Sequence, residues 1–179
     1  MATVNIHPDA TISNDWTIAG GSGTVHQNLS DSSDTSYIYT ADQNDVSIVT
    51  LGSHSSYASP NTIDSVRFYI RGVYSNTRSG NTDIQVILTD ASASTYYAET
   101  ITLNFTAGYA PEDFYGTART TSDGSTAWTS SDLNGMRINI NTSPEDPSGS
   151  TRATVMKASV EVTYSEPSLD NAVFFGTNF

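Results

Sequence analysis

The chain has 179 residues, no cysteine, 7 Lys+Arg against 19 Asp+Glu, and a formal net charge of −12. That length suits one domain able to bury roughly 70% of its unfolded surface, and the lack of cysteine removes disulfide frameworks, Cys-based zinc sites and thiol nucleophiles together. A surface of this sign repels phosphate backbones, so direct nucleic-acid binding is not expected, and no stretch approaches the ~20 apolar residues of a membrane span.

Charged residues make up only 15% of the chain, below the usual ~25%, and polarity comes from Ser, Thr, Asn and Gly instead. The opening residues Met1–Pro8 carry neither a basic nor an apolar segment of secretory type, so no signal peptide is expected.

Strand-like runs then recur between turn signals. Trp16-Thr17-Ile18 leads into the glycine turn Ala19–Gly23, and Val25–Leu29 reads as a short strand. Tyr37-Ile38-Tyr39 and Val46–Leu51 follow, separated by Asp42-Gln43-Asn44-Asp45, and His54–Asn61 reads as a loop. Ile63–Val73 sets Val66, Phe68 and Ile70 on one face, with Arg67, Tyr69 and Arg71 on the other. Asp83–Thr89 turns Ile84, Val86 and Leu88 inward, and Ser79-Gly80-Asn81 reads as the tip of a hairpin joining these two strands.

Tyr97–Thr106 carries Ile101, Leu103 and Phe105 on one face, and Ala107–Ser131 reads as a long loop. Ser130–Asn134 supports at most a single helical turn. Met136, Ile138 and Ile140 alternate with Arg137, Asn139 and Asn141, and the closing strand Met156–Tyr164 alternates in the same way. About eight short strands and almost no helix predict an all-β fold: a two-sheet antiparallel β-sandwich, jelly-roll-like, with extended N- and C-terminal arms. The expected divisions are an N-terminal arm at 1–13, the sandwich at 14–165 and a C-terminal docking arm at 166–179.

Catalytic spacing is missing. His7, His26 and His54 share no metal-site spacing, and Gly21-Ser22-Gly23 lacks the G-x-S-x-G pattern of a nucleophile elbow. Glu99, Glu112, Asp113 and Asp132 could supply the carboxylate pair of a glycosidase, but no spacing prefers one pair. Glu112-Asp113, after Pro111, reads as a solvated turn. Asp31–Asp34 and Asp42–Asp45 offer calcium-type oxygen ligands, yet neither matches the EF-hand loop, and Asp and Asn also favour turns for local reasons. Catalytic, metal and cofactor residues are therefore all read as none. Asn28, Asn104 and Asn141 sit in glycosylation sequons, which mean little without a signal peptide.

Aromatic residues are the more informative set, with 10 Tyr, 6 Phe and 2 Trp. Tyr37, Tyr39, Tyr57, Tyr69, Tyr74, Tyr96, Tyr97, Tyr109 and Tyr115 fall mainly at strand ends and in loops, where tyrosine serves either cross-strand packing or a half-wet binding surface. Beyond the closing strand, Val173, Phe174, Phe175 and Phe179 put apolar bulk at a terminus. Together with Val4, Ile6 and Ile12 near the start, they are the expected partner-binding residues.

In order along the chain, Trp16, Gly20-Gly21, Leu29, Asp31, Asp34-Thr35-Ser36-Tyr37-Ile38, Ile63-Asp64-Ser65-Val66-Arg67, Trp128-Thr129, Asp132-Leu133-Asn134-Gly135 and Val160-Glu161-Val162-Thr163-Tyr164 resemble a β-sandwich module of tailed-bacteriophage structural proteins. The similarity covers about residues 14–165. It implies a virion component made in the host bacterial cytoplasm. The expected function is a non-enzymatic capsid decoration (cement) protein. It would be homo-oligomeric and bind the outer head shell through the major capsid protein or copies of itself. The alternative is a receptor- or carbohydrate-binding module of a phage tail or fibre, using the tyrosine-rich loops.

Overall fold

A computed structural model describes residues 1–21, 23–55, 61–75, 81–104, 110–142 and 152–167. Two antiparallel sheets enclose one core. The first has the order β3-β4-β11-β6-β9, from β3 (Thr17–Ala19), β4 (Tyr37–Thr40), β11 (Arg152–Ser165), β6 (Thr62–Ser75) and β9 (Glu112–Tyr115); β1 (Ala2–Ile6) also pairs with β11. The second has the order β2-β5-β10-β7-β8, from β2 (Pro8–Asn14), β5 (Val46–Leu51), β10 (Arg137–Thr142), β7 (Asn81–Thr89) and β8 (Thr95–Asn104).

From β4 to β11 the chain alternates between sheets except at the β7–β8 hairpin, which gives the paired orders 4-11-6-9 and 5-10-7-8. That is the eight-stranded jelly roll. The expected all-β sandwich is the observed fold.

Period-two alternation builds the core. Val66, Phe68 and Ile70 from β6, Val160 and Val162 from β11, Ile84, Val86 and Leu88 from β7, and Ile138 and Ile140 from β10 are all fully buried. A bulge between Val155 and Lys157 resets β11, so that Val155 and Ala158 both point inward while Lys157 points out.

Several local expectations are corrected. Val25–Leu29 is not a strand but the start of α1 (Val25–Ser30): Val25 and Leu29 lie four apart, both are buried, and Thr24 stands at the N-cap. Asn28, wholly buried on this helix, donates to the carbonyls of Ala19 and Tyr37 and so ties α1 to the β3–β4 pair. This excludes it as a glycosylation acceptor. The turn before the helix needs its glycine, because a Cβ on Gly20, which has φ +74, would lie 1.7 Å from the Thr35 carbonyl oxygen.

The expected hairpin tip falls at Ser79-Gly80-Asn81, of which 79 and 80 lie outside the described residues. Its flanking strands do not pair: β6 belongs to one sheet and β7 to the other. Two strands with one apolar face each are satisfied equally well by facing one another across a core. The observed hairpin is β7–β8, whose turn accepts the Asp90 N–H at the Ser94 carbonyl, with Ala93 left-handed at φ +71. The loop expected at Ala107–Ser131 contains β9, and the helical turn α2 (Ser130–Leu133) is held by a capping box between Thr129 and Asp132.

The N-terminal stretch expected to be a free arm is two strands of the sandwich. β1 pairs with β11 from Ala2↔Tyr164 to Ile6↔Val160, and β2 pairs with β5. Ile6 is 3% exposed and Val4 packs against the core, so their apolar surface is already used within the chain. Ile12 points outward at 51% exposure. The other expected partner-binding residues, Val173, Phe174, Phe175 and Phe179, lie outside the described residues.

Candidate functional site

The outer face of the β4–β11–β6–β9 sheet gathers side chains far apart in sequence. Strand β6 contributes Arg67, Tyr69 and Arg71, which the alternation had already assigned to the face away from the core. Their neighbours come from pairing. Tyr115 lies opposite Tyr69 and Asp113 opposite Arg71 on β9, while Ser159 and Glu161 on β11 lie opposite Tyr69 and Arg67. On the far side of β11, Tyr39 stands opposite Thr154, with Tyr37 two residues along the same face of β4.

Two tyrosine pairs flank a charged centre. Tyr69 and Tyr115 have ring centroids 5.2 Å apart at an interplanar angle of 46°, and Tyr37 and Tyr39 are 6.1 Å apart at 49°. Between them, Arg71 forks onto Asp34 through Nε and Nη2, both at 2.8 Å, and reaches Asp113 Oδ1 with Nη1 at 2.8 Å. Asp113 also accepts the Tyr69 hydroxyl at 2.8 Å, and Lys157 Nζ stands 3.8 Å from Asp34. Arg67 donates to Glu161 at 2.6 Å with its guanidinium carbon 4.5 Å over the Tyr115 ring. Arg152 stacks in the same way over Tyr39, at 4.4 Å.

The electrostatics follow from these contacts. Hydrogen bonds and charge from Arg71 hold the carboxyls of Asp34 and Asp113 below their ordinary range, and the two carboxylates raise the Arg71 guanidinium in turn. Partial burial, with the bond to Asp113, pushes the Tyr69 phenol above its ordinary value, so it remains a neutral donor at any physiological pH. Exposed ion pairs of this kind add little stability individually. Their effect here is to fix the rotamers of long side chains, leaving a prearranged surface of ring faces beside paired donors and acceptors.

The remaining candidates are committed elsewhere. Glu99 accepts from Arg119 and the Thr117 N–H, Glu112 accepts from Asn104, and Asp132 caps α2. Asp113 belongs to a strand rather than the turn expected for it. Asp31 closes a local turn onto the Ser33 N–H and Asp45 accepts from Thr40. Among the described residues no group of three or more His, Asp or Glu is arranged around a metal-sized site. His26 bonds Thr11 from α1, and burial lowers the pKa of His7.

Of the other tyrosines, Tyr74 and Tyr97 are buried and Tyr96 packs edge-on against Trp128, while Tyr57 and Tyr109 lie outside the described residues. A shallow depression of about 490 Å³ lined by Asp9, Thr50, Leu51, Ser53, Asn134 and Gly135 carries one carboxylate and no aromatic ring. It offers far fewer recognition groups than the sheet face.

No family model and no curated protein matches the chain. Among solved structures, an arabinose-bound MgGH51 α-L-arabinofuranosidase is similar at TM-score 0.47 and 9% identity over 86% of this chain, which spans only 23% of that protein. The CBM36-1 domain of a multidomain xylanase from the hindgut metagenome of Trinervitermes trinervoides is similar at TM-score 0.45 and 12% identity, covering 92% of this chain and 99% of that one. A carbohydrate-binding module CBM36 in complex with calcium and xylotriose is similar at TM-score 0.42 and 12% identity, over 92% and 100% of the two chains. Likeness at this level concerns the sandwich alone and assigns no ligand.

Proposed function

We propose that this chain is a non-catalytic carbohydrate-binding module that holds a glycan against the outer face of the β4–β11–β6–β9 sheet. The observation that carries the reading is the Tyr69–Tyr115 pair beside the Arg71–Asp34–Asp113 cluster. A pyranose ring offers an apolar face of C–H groups and an equatorial rim of hydroxyls. Ring faces of tyrosine take the first, and rigid planar donors and acceptors take the second. Tyr115 is 52% exposed, among the few large hydrophobic side chains this open in the described residues, so the part of its ring that Arg67 and Tyr69 leave uncovered is available to a sugar.

A module of this kind on a phage tail or fibre fits the sequence resemblance. Decoration of a phage head rests on that resemblance and on Val173, Phe174, Phe175 and Phe179. The N-terminal residues once paired with them in that reading, Val4 and Ile6, have their apolar surface occupied within the chain.

Affinity electrophoresis through gels containing soluble polysaccharides, with a glycan array, tests the reading. The protein is expected to be retarded by at least one glycan, and Tyr69→Ala and Tyr115→Ala are expected to abolish the retardation while leaving the thermal midpoint and circular dichroism of a folded sandwich. Retention of full binding by both variants, or the absence of any glycan ligand together with binding to purified phage shells, refutes it.

A further inference from the structure

The chemical class of the glycan is legible in how charge is distributed over this same face, an inference that rests on the carbohydrate-binding reading. Four of the chain's seven basic residues, Arg67, Arg71, Arg152 and Lys157, stand on one sheet face of a protein whose net charge is −12. Among the described residues three carboxylates face them. Glu161 is taken by Arg67, Asp113 by Arg71, and Asp34 is shared between Arg71 and Lys157.

Among the described residues Arg152 has no carboxylate partner. Among the described residues its contact is the Tyr39 ring, which orients the guanidinium without neutralising it, and the residue is exposed. A stacked arginine presents its fork of N–H donors edge-on, in the geometry that matches a carboxylate. The geometry points to a glycan bearing an isolated carboxylate, a hexuronic-acid residue in an otherwise neutral chain, with Arg152 receiving the acid group.

The same charges exclude a densely charged polyanion. The remainder of the chain is strongly acidic and repels a continuous line of negative charge, whereas a single carboxylate at Arg152 feels chiefly what lies within the ~8 Å screening length at physiological salt. The site is extended. Arg152 packs over Tyr39, Tyr39 lies in register with Thr154 and Val73, and Val73 stands four residues along β6 from Tyr69, or about 13 Å at strand spacing. An acidic sugar at Arg152 and a neutral sugar on Tyr69–Tyr115 therefore belong to one oligosaccharide of several units.

The test compares two probes by titration calorimetry on the full chain: an aldouronic oligosaccharide, in which neutral sugars carry one glucuronic acid, and the same oligosaccharide with its carboxyl group reduced to the alcohol. The acid form is expected to bind about tenfold more tightly. Arg152→Ala is expected to erase that preference, costing the acid form about tenfold more affinity than the reduced form, and Arg152→Lys to keep part of it. Equal affinity for the two probes, or a preference that survives Arg152→Ala, overturns the assignment and leaves the tyrosine platform standing. If neither probe binds and no neutral glycan is retarded in a Tyr69-dependent way, the carbohydrate reading and this one fall together.

Discussion

The hydroxyl of Tyr97 on β8 accepts a hydrogen bond from the backbone N–H of Phe68 on β6, 3.2 Å away and across the core from the opposite sheet. The bond fills a gap in a ladder. Strand β9 ends at Tyr115, and although the Gly116 N–H still donates to the Phe68 carbonyl, the next paired contact on that edge is Val66 with Arg119. The Phe68 N–H lies between them, buried, and Tyr97 supplies the acceptor while its ring stacks on that of Phe68.

Tyr97→Phe removes the acceptor and keeps the ring. The Phe68 N–H is then buried without a partner, and the expected loss is about 1–3 kcal/mol of unfolding free energy. Urea denaturation of the two proteins measures it; a difference within experimental error means the N–H finds another acceptor.

Alkaline pH acts on the same group. Burial raises the phenols of Tyr97 and Tyr69 above the ordinary 10.0, and burial with the nearby charges of Asp132 and Asp90 pushes Tyr96 up to about 12. A raised folded-state value stabilises the fold fully below pH 10.0, where unfolded tyrosine keeps its proton, and the contribution disappears as pH rises through the folded values. The thermal midpoint is therefore expected to decline between pH 10 and about 12, and Tyr97→Phe to decline less steeply.

Acid has the opposite sign. Asp34 and Asp113 are held below their ordinary 3.8, so their contribution is present above that pH and is lost as pH falls through the depressed values. Both side chains are partly exposed, which keeps the effect on global stability small. Ligand retention is the more sensitive readout: it is expected to weaken below pH 3.8 before the far-ultraviolet spectrum changes. Arg71→Gln should reproduce that weakening at neutral pH.

Removing Ala2–Ile6 distinguishes a strand from an arm. The deletion strips β1 from β11 and uncovers the Val160–Val162 region, while the burial of Ile6 alone accounts for ~1.5–3 kcal/mol. A clear fall in thermal midpoint is expected. An unchanged midpoint would show that the segment contributes nothing to the sandwich.

Much of this fold is legible in the sequence because period two is a strong signal in long strands. Residues 63–73 reveal both the core set Val66, Phe68 and Ile70 and the outward set Arg67, Tyr69 and Arg71. Among the landmarks behind the phage resemblance, the apolar Trp16, Leu29, Ile38, Val66, Trp128, Leu133, Val160 and Val162 are core residues, while Asp34, Tyr37, Arg67 and Glu161 lie on the candidate face. The apolar set therefore speaks to architecture more than to function.

The rest of the site depends on pairing that alternation does not encode. Nothing local in Glu112-Asp113-Phe114-Tyr115 shows that it lies beside β6, and the link from Asp34 to Arg71 spans 37 residues. Residues 2–6 read as an arm for the same reason: a five-residue strand of mixed polarity shows its place only through a partner about 160 positions away.

That last pairing has a kinetic consequence. Because Ala2 sits opposite Tyr164, β1 joins a strand made about 160 residues later, and the sheet that carries the tyrosine platform lacks its central strand until β11 exists. At ribosomal rates of roughly 5–20 residues per second the nascent chain spends on the order of ten seconds with β1, β4 and β6 unpaired along the edges that β11 will occupy. Non-local strand order of this kind also places folding in the slow, millisecond-to-second class. The exposed hydroxyl-rich and acidic character of the chain is then an asset during biogenesis, keeping an open half-sandwich apart from its neighbours until the closing strand arrives.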